Sequence, residues 1–194
     1  REQDRDWCYA DVHARSAGVT TSLRELGLRA GHAVALMAPN SGAFVASFLG
    51  IARVGGVVAP FNVRYQQQEL HYYLRDTRAA AIIAASDLVP LVAEALDELA
   101  DPPALLEVAD DGECSVVRRR EELADTSATW AAADTDASAA PLLLQYTSGS
   151  TGAPKRIIRT NRMLLDELER LSKAFQVDER DRFLGAAPFS HVNG

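Results

Sequence analysis

Short, almost wholly apolar runs recur along this chain at residues 33–37, 57–59, 80–85, 105–108 and 142–146. Each is too short to be a helix of ordinary length, and none alternates apolar with polar residues. That pattern marks strands buried on both faces, as in a parallel sheet covered by helices. Between them lie segments with helical spacing, at 9–26, 43–54, 67–75 and 88–99, and a further amphipathic segment at 161–175 carries Leu164, Leu165, Leu168 and Leu171. Gly27 and Gly55-Gly56 end helices, while Ser41 and Ser86-Asp87 stand where N-caps are needed. Strands alternating with helices predict an α/β protein built of doubly wound parallel-sheet lobes. Residues 1–110 read as a first α/β lobe, 111–140 as a connecting segment, and 141–194 as the start of a second lobe. A strand is also expected at Ile157-Ile158, and a last one at Phe183-Leu184-Gly185-Ala186-Ala187.

Composition narrows the function. Apolar residues make up 47% of the 194, enough for a globular core. The net charge of −7 excludes a generally basic nucleic-acid-binding surface, though it leaves room for a locally positive phosphate site. The run Arg118-Arg119-Arg120 is followed by Glu121-Glu122, which predicts a solvated, neutralised face. Cys8 and Cys114 show no metal-binding spacing and read as free thiols. His13, His32 and His71 have no ligand spacing with one another and read as surface or packing residues. No apolar stretch approaches membrane-spanning length, and the charged start, Arg1 to Asp6, is no signal peptide. A cytoplasmic protein without a membrane span is the expectation.

The chemistry lies in Tyr146-Thr147-Ser148-Gly149-Ser150-Thr151-Gly152-Ala153-Pro154-Lys155, which follows the last of the apolar runs. Glycines let a ligand approach the main chain, successive N–H groups can form an anion nest, and Thr147, Ser148, Ser150 and Thr151 add hydroxyls. Lys155 adds a mobile positive charge suited to a phosphate oxygen. A flexible Ser/Gly linker has no reason to follow an apolar strand and end in Pro-Lys. A P-loop NTPase needs its lysine directly after the second glycine, and here Ala153 and Pro154 intervene.

This run resembles the phosphate-binding signature of the adenylate-forming superfamily, which comprises acyl- and aryl-CoA synthetases, luciferases and peptide-synthetase adenylation domains. It departs only at Arg156, where the family usually has glycine, a change expected to alter the turn after Lys155. A second stretch, Pro188-Phe189-Ser190-His191-Val192-Asn193-Gly194, resembles the superfamily's P-[LF]-[FS]-H-x-x-G motif and favours a CoA ligase. Upstream, residues 28–40 resemble the segment L-x-x-G-D-x-V-A-x-x-x-x-N, with His32 in place of the aspartate. Residues 50–62 resemble G-x-x-x-x-G-[GA]-x-x-x-P-x-[ND]. Both read as scaffold, with Gly55 and Gly56 allowing tight helix–strand packing.

The resemblance implies carboxylate activation: a carboxylate attacks the α-phosphate of ATP, pyrophosphate leaves, and a thiol, commonly that of coenzyme A, displaces AMP. It implies that Thr147, Ser148, Gly149, Ser150, Thr151, Gly152 and Lys155 hold the β- and γ-phosphates, and that Thr147 is the contact nearest Mg2+. Lys155 and His191 are the implied catalytic residues, with His191, Asn193 and Gly194 at the carboxylate and acyl pocket. The implied partners are a small-molecule carboxylate and CoA or a carrier-protein thiol. The family's adenine, ribose and C-terminal lysine motifs lie outside these residues, so residues 1–194 by themselves are not expected to turn over. An adenylation domain loading a carrier protein and a non-catalytic nucleotide-binding or interaction remnant are the alternatives.

Overall fold

The computed structural model describes residues 6–120, 138–147 and 154–191. Its centre is a seven-stranded sheet in the order β5-β4-β3-β1-β2-β6-β7. The strands are β1 (Ala33–Met37), β2 (Val57–Pro60), β3 (Ala81–Ala85), β4 (Ala104–Val108), β5 (Cys114–Arg118), β6 (Pro141–Thr147) and β7 (Lys155–Thr160). The pairs β1–β2, β1–β3, β3–β4 and β2–β6 are parallel, and β5 and β7 close the two edges as antiparallel strands. The mixed α/β architecture with a mainly parallel sheet is the one that the apolar runs predict.

Period-two geometry sends alternate residues of each strand to opposite faces, and the two faces form separate cores. Val34 and Leu36 of β1 join Val19, Leu23, Phe44 and Ile51, from helices α1 (Tyr9–Glu25) and α2 (Gly42–Arg53). Ala35 and Met37 join Leu70, Leu74, Val92 and Leu96, from α3 (Gln67–Thr77) and α4 (Val89–Asp97). Helices on both faces explain why β1, β2 and β3 are buried at every position. Close approach on the first face depends on Gly50: a Cβ there would lie 2.6 Å from Cβ of Val19. The α1 surface at this crossing also buries Ser16 and Thr20, and the Thr20 hydroxyl is satisfied by the Ser16 and Gly50 carbonyls at 2.8 and 3.0 Å. Gly55 takes φ +76, which ends α2 in a left-handed turn against Ala30.

Four local readings are corrected. Ser86 and Asp87 do not cap α4; they form a 3-10 turn with Leu88, and Pro90 in the first turn of α4 needs no N–H partner. The stretch around Cys114, without obvious periodicity, is the edge strand β5, whose half-exposed positions dilute its apolar signal. Arg118 and Arg120 pair with Asp97 and Asp101, so the acidic partners come from the α4 end and the turn after it; Glu121 and Glu122 lie outside the described residues. Residues 183–187 form no strand: a strand needs a neighbouring edge, and here Phe183 and Leu184 stand exposed while Ala187 bonds a side chain instead. The amphipathic helix α5 (Asn161–Phe175) has the expected bounds, with the Thr160 hydroxyl accepting from the Met163 N–H as its N-cap.

Candidate functional site

The two sequence signatures meet at the carboxyl end of β6, one of the parallel strands. Open α/β sheets bind ligands at that edge, where loops leave the strands and helix N-termini point outward. β6 is driven into the sheet by Leu143 and Leu144, both buried, and pairs with β7 in antiparallel register. Tyr146 lies opposite Arg156, and Thr147 lies opposite Lys155. The Thr147–Lys155 rung therefore closes the hairpin whose connection is the Ser/Gly run. The Thr147 hydroxyl donates to the Lys155 carbonyl over 3.5 Å, a long bond that leaves the oxygen open to exchange partners. Lys155 itself is exposed. Ser148, Gly149, Ser150, Thr151 and Gly152 lie outside the described residues, as do Asn193 and Gly194. The turn expected after Lys155 is instead the strand β7, and Arg156 reaches back to Asp76 of α3, with 3.2 Å between guanidinium and carboxylate.

The second signature is held by residues that the sequence marked only as scaffold. Asn40, just beyond β1, uses its whole amide: Nδ2 donates to the Ala187 carbonyl and Oδ1 accepts from the Phe189 N–H, both at 2.7 Å. The Phe189 ring packs against Phe44 of α2 with centroids 5.4 Å apart. A turn follows, with the His191 N–H donating to the Pro188 carbonyl at 2.9 Å. Gln145 of β6, 5% exposed, directs Nε2 toward the His191 carbonyl at 3.5 Å. Its Oε1 is buried with no hydrogen-bond partner among the described residues. Gln145, Phe189 and Phe44 share the wall of an apolar cavity of about 630 Å³ with Leu143 and Leu164.

Beneath the hairpin is an aromatic cluster. Tyr146 packs on Tyr73 at 4.6 Å between centroids, Tyr73 stacks on Tyr65 at 4.7 Å, and buried Phe61 lies 5.9 Å from both. Burial, with the hydrogen bond to Asp76 and the charge of that carboxylate, pushes the Tyr146 phenol well above its ordinary range, so it remains a proton donor. Among the described residues no three His, Cys, Asp or Glu side chains gather as a metal site, and no helix is long and apolar enough to cross a membrane.

The sequence singled out Thr147, Lys155 and His191 but missed Asn40, Gln145 and Asp76. Gln145 carried a signal, a polar residue inside an otherwise apolar strand. Asn40 closes the segment 28–40 that the sequence marked as scaffold, without a sign of its contacts, and Asp76 acts through partners far along the chain and leaves no local pattern.

Known proteins extend these observations. The chain is 30% identical over 184 residues to the long-chain-fatty-acid–CoA ligase FadD13 of Mycobacterium tuberculosis, an alignment covering 95% of this chain and 35% of that ligase. It is likewise 30% identical over 176 residues to a dimodular nonribosomal peptide synthase of Bacillus subtilis, covering 91% of this chain and 7% of that protein. The chain thus spans about a third or less of the length of these relatives. Its fold matches the inhibitor-bound N-terminal domain of FACL13 from Mycobacterium tuberculosis with a TM-score of 0.75 at 28% identity, covering 97% of this chain and 46% of that one. The family model described as AMP-binding enzyme matches residues 2–194, so the chain, from its first helix through both signatures, belongs to the AMP-binding enzyme family.

Proposed function

We propose that the protein to which these residues belong activates a small-molecule carboxylate with MgATP and transfers the acyl group from the adenylate to the thiol of coenzyme A. The observation that carries this reading is the convergence on β6. Thr147 at its end closes the phosphate hairpin with Lys155, and Gln145, two residues earlier on the same strand, contacts the main chain of His191. The flanks of the Ser/Gly run and the start of the second signature thus lie on one strand, which supports a site for two substrates.

Attack of a carboxylate on a phosphate joins two anions, so catalysis rests on positioning and on neutralising charge. In this reading the Lys155 ammonium, exposed at the mouth of the hairpin, neutralises the β- and γ-phosphates and the departing pyrophosphate. Ser148, Gly149, Ser150, Thr151 and Gly152 supply hydroxyl and N–H donors. The Thr147 hydroxyl, a hard oxygen with one long bond among the described residues, would serve as a ligand to the magnesium that accompanies ATP. His191, with Asn193 and Gly194, borders the carboxylate, oriented by Gln145 and by Asn40 acting through Phe189. A cytoplasmic location would supply both ATP and CoA.

The activity belongs to the whole protein; residues 1–194, which match about a third of FadD13, are not expected to turn over alone. The equal identity to a peptide synthase favours one second reading, with a carrier-protein thiol as the acceptor. Supplying the full-length protein with ATP and a panel of acids, then with CoA or a phosphopantetheinyl carrier, separates the two. Acyl-CoA formation supports the first reading, and acylation of the carrier alone supports the second. Absence of adenylate with every acid contradicts both.

A further inference from the structure

Asp76 sits in the last turn of α3, where a carboxylate faces the negative end of the helix dipole and is disfavoured. Its partners explain the placement. The Tyr146 phenol donates to Oδ2 at 2.5 Å. Nη1 of Arg156 donates to the same oxygen at 3.2 Å and to the Asp76 carbonyl, one of the end carbonyls of α3, at 3.1 Å. Tyr146 and Arg156 come from opposite arms of the hairpin and are partners across the β6–β7 ladder. Opposed residues in an antiparallel pair share a face, and the next rung faces the other way. One carboxylate thus grips both arms from the α3 side, one rung before Thr147 and Lys155. The grip is mounted on a rigid element, because Leu70 and Leu74 anchor α3 in the core and Tyr73 packs on the Tyr146 ring. The Arg156–Asp76 pair is about one-third exposed on each side, so as an ion pair it contributes little to stability. Its consequence is geometric.

We propose that Asp76 is a positioning residue for the phosphate hairpin, holding the Tyr146–Arg156 rung so that Thr147 and Lys155 meet the polyphosphate in register. The polyphosphate part of this inference rests on the adenylation reading. Arg156 is then no neutral departure from the family's glycine but the cross-tie of the outgoing arm. It couples hairpin geometry to the end of α3.

The test uses the full-length protein and two readouts. Hydrogen–deuterium exchange in the absence of nucleotide follows the amides of residues 142–147 and 155–160. Steady-state kinetics separate KM for MgATP from KM for the carboxylate. Asp76→Ala, which removes both charge-assisted hydrogen bonds to Oδ2, is expected to speed exchange in both strands and to raise KM for MgATP by about tenfold or more. KM for the carboxylate should stay within about twofold. Asp76→Asn, which keeps an acceptor for Tyr146 and loses the charge, should fall between Asp76→Ala and the unaltered protein. Arg156→Gly releases only the outgoing arm and serves if Asp76→Ala folds poorly; its faster exchange should be confined to 155–160. Unchanged exchange, or equal changes in both KM values, would overturn the clamp. An unaltered protein that shows no adenylation with any acid overturns the polyphosphate part, while the exchange measurement still decides whether Asp76 holds the hairpin.

Discussion

His32 occupies the position where the family's segment usually carries aspartate, and its ring supplies a hydrogen-bond acceptor to the main chain. Nδ1 accepts from the Arg29 N–H at 3.3 Å, closing the turn before β1 with the side chain 1% exposed. Burial, then the positive charges of Arg29 and Arg120, lowers its pKa below the ordinary 6.5. The unfolded chain therefore takes up a proton near pH 6.5 that the folded protein refuses. This contribution to stability is complete above that pH and is lost as the pH falls. The urea midpoint should be lower at pH 5.5 than at pH 7.5, and His32→Asn, which keeps an acceptor that does not titrate, should narrow the gap; an equal gap in both proteins contradicts this account. Cys114 shifts the other way. Burial pushes its thiol up to about 12, against a smaller lowering by Ser22. Its folded pKa is raised, so its stabilising effect is full below about 9 and declines as the pH rises toward 12. Cys8 is exposed. At pH 8 iodoacetamide should label Cys8 in the folded protein well before the partly buried Cys114; equal rates at the two thiols contradict the raised Cys114 pKa.

Secondary elements were legible wherever a single periodicity ruled them. The buried strands β1 and β3 and the amphipathic α5 fall where their apolar residues place them, because continuous burial and a 3.6-residue stripe are local signals. The edge strand β5 and the unpaired stretch 183–187 were not legible, since whether a moderately apolar run becomes a strand depends on whether an edge is free beside it. The Ser/Gly run and the strands on either side of it could be read from residues 142–158. Their supports could not: Asn40 acts on residues 147 and 149 positions away, and Asp76 and Arg156 are 80 apart. At the α1–α2 crossing, Gly50→Ala would gain up to about 1 kcal/mol in helix propensity. It would also force a methyl to 2.6 Å from Val19 Cβ and 2.9 Å from the Ser16 carbonyl. Backbone must move to relieve the second contact, so a net loss of about 1–2 kcal/mol is expected, read as a lower urea midpoint with an unchanged m-value. A midpoint at or above that of the unaltered protein contradicts the crossing geometry.

Among the described residues, the sheet is covered by α1 and α2 on one face and by α3 and α4 on the other, and its β6–β7 edge is only partly covered. α5 leaves Leu165, Leu168 and Phe175 63%, 60% and 75% exposed, and Leu184 beyond it is 94% exposed. Large apolar side chains exposed in this number favour association, so residues 1–194 in isolation should show concentration-dependent self-association by light scattering, reduced by Leu168→Glu; a clean monomer at all concentrations contradicts it. The central claim is that the hairpin closed by Thr147 and Lys155 serves adenylate formation. Carboxylate-dependent ATP–pyrophosphate exchange, measured on the full-length protein and on its Lys155→Ala variant, tests it most directly. Exchange with one class of acid is expected, with a fall of about 100- to 1,000-fold in the variant, the usual effect of removing one well-placed charge-stabilising donor. Exchange that is undiminished without the Lys155 ammonium, or absent from the unaltered protein with every acid, would contradict it.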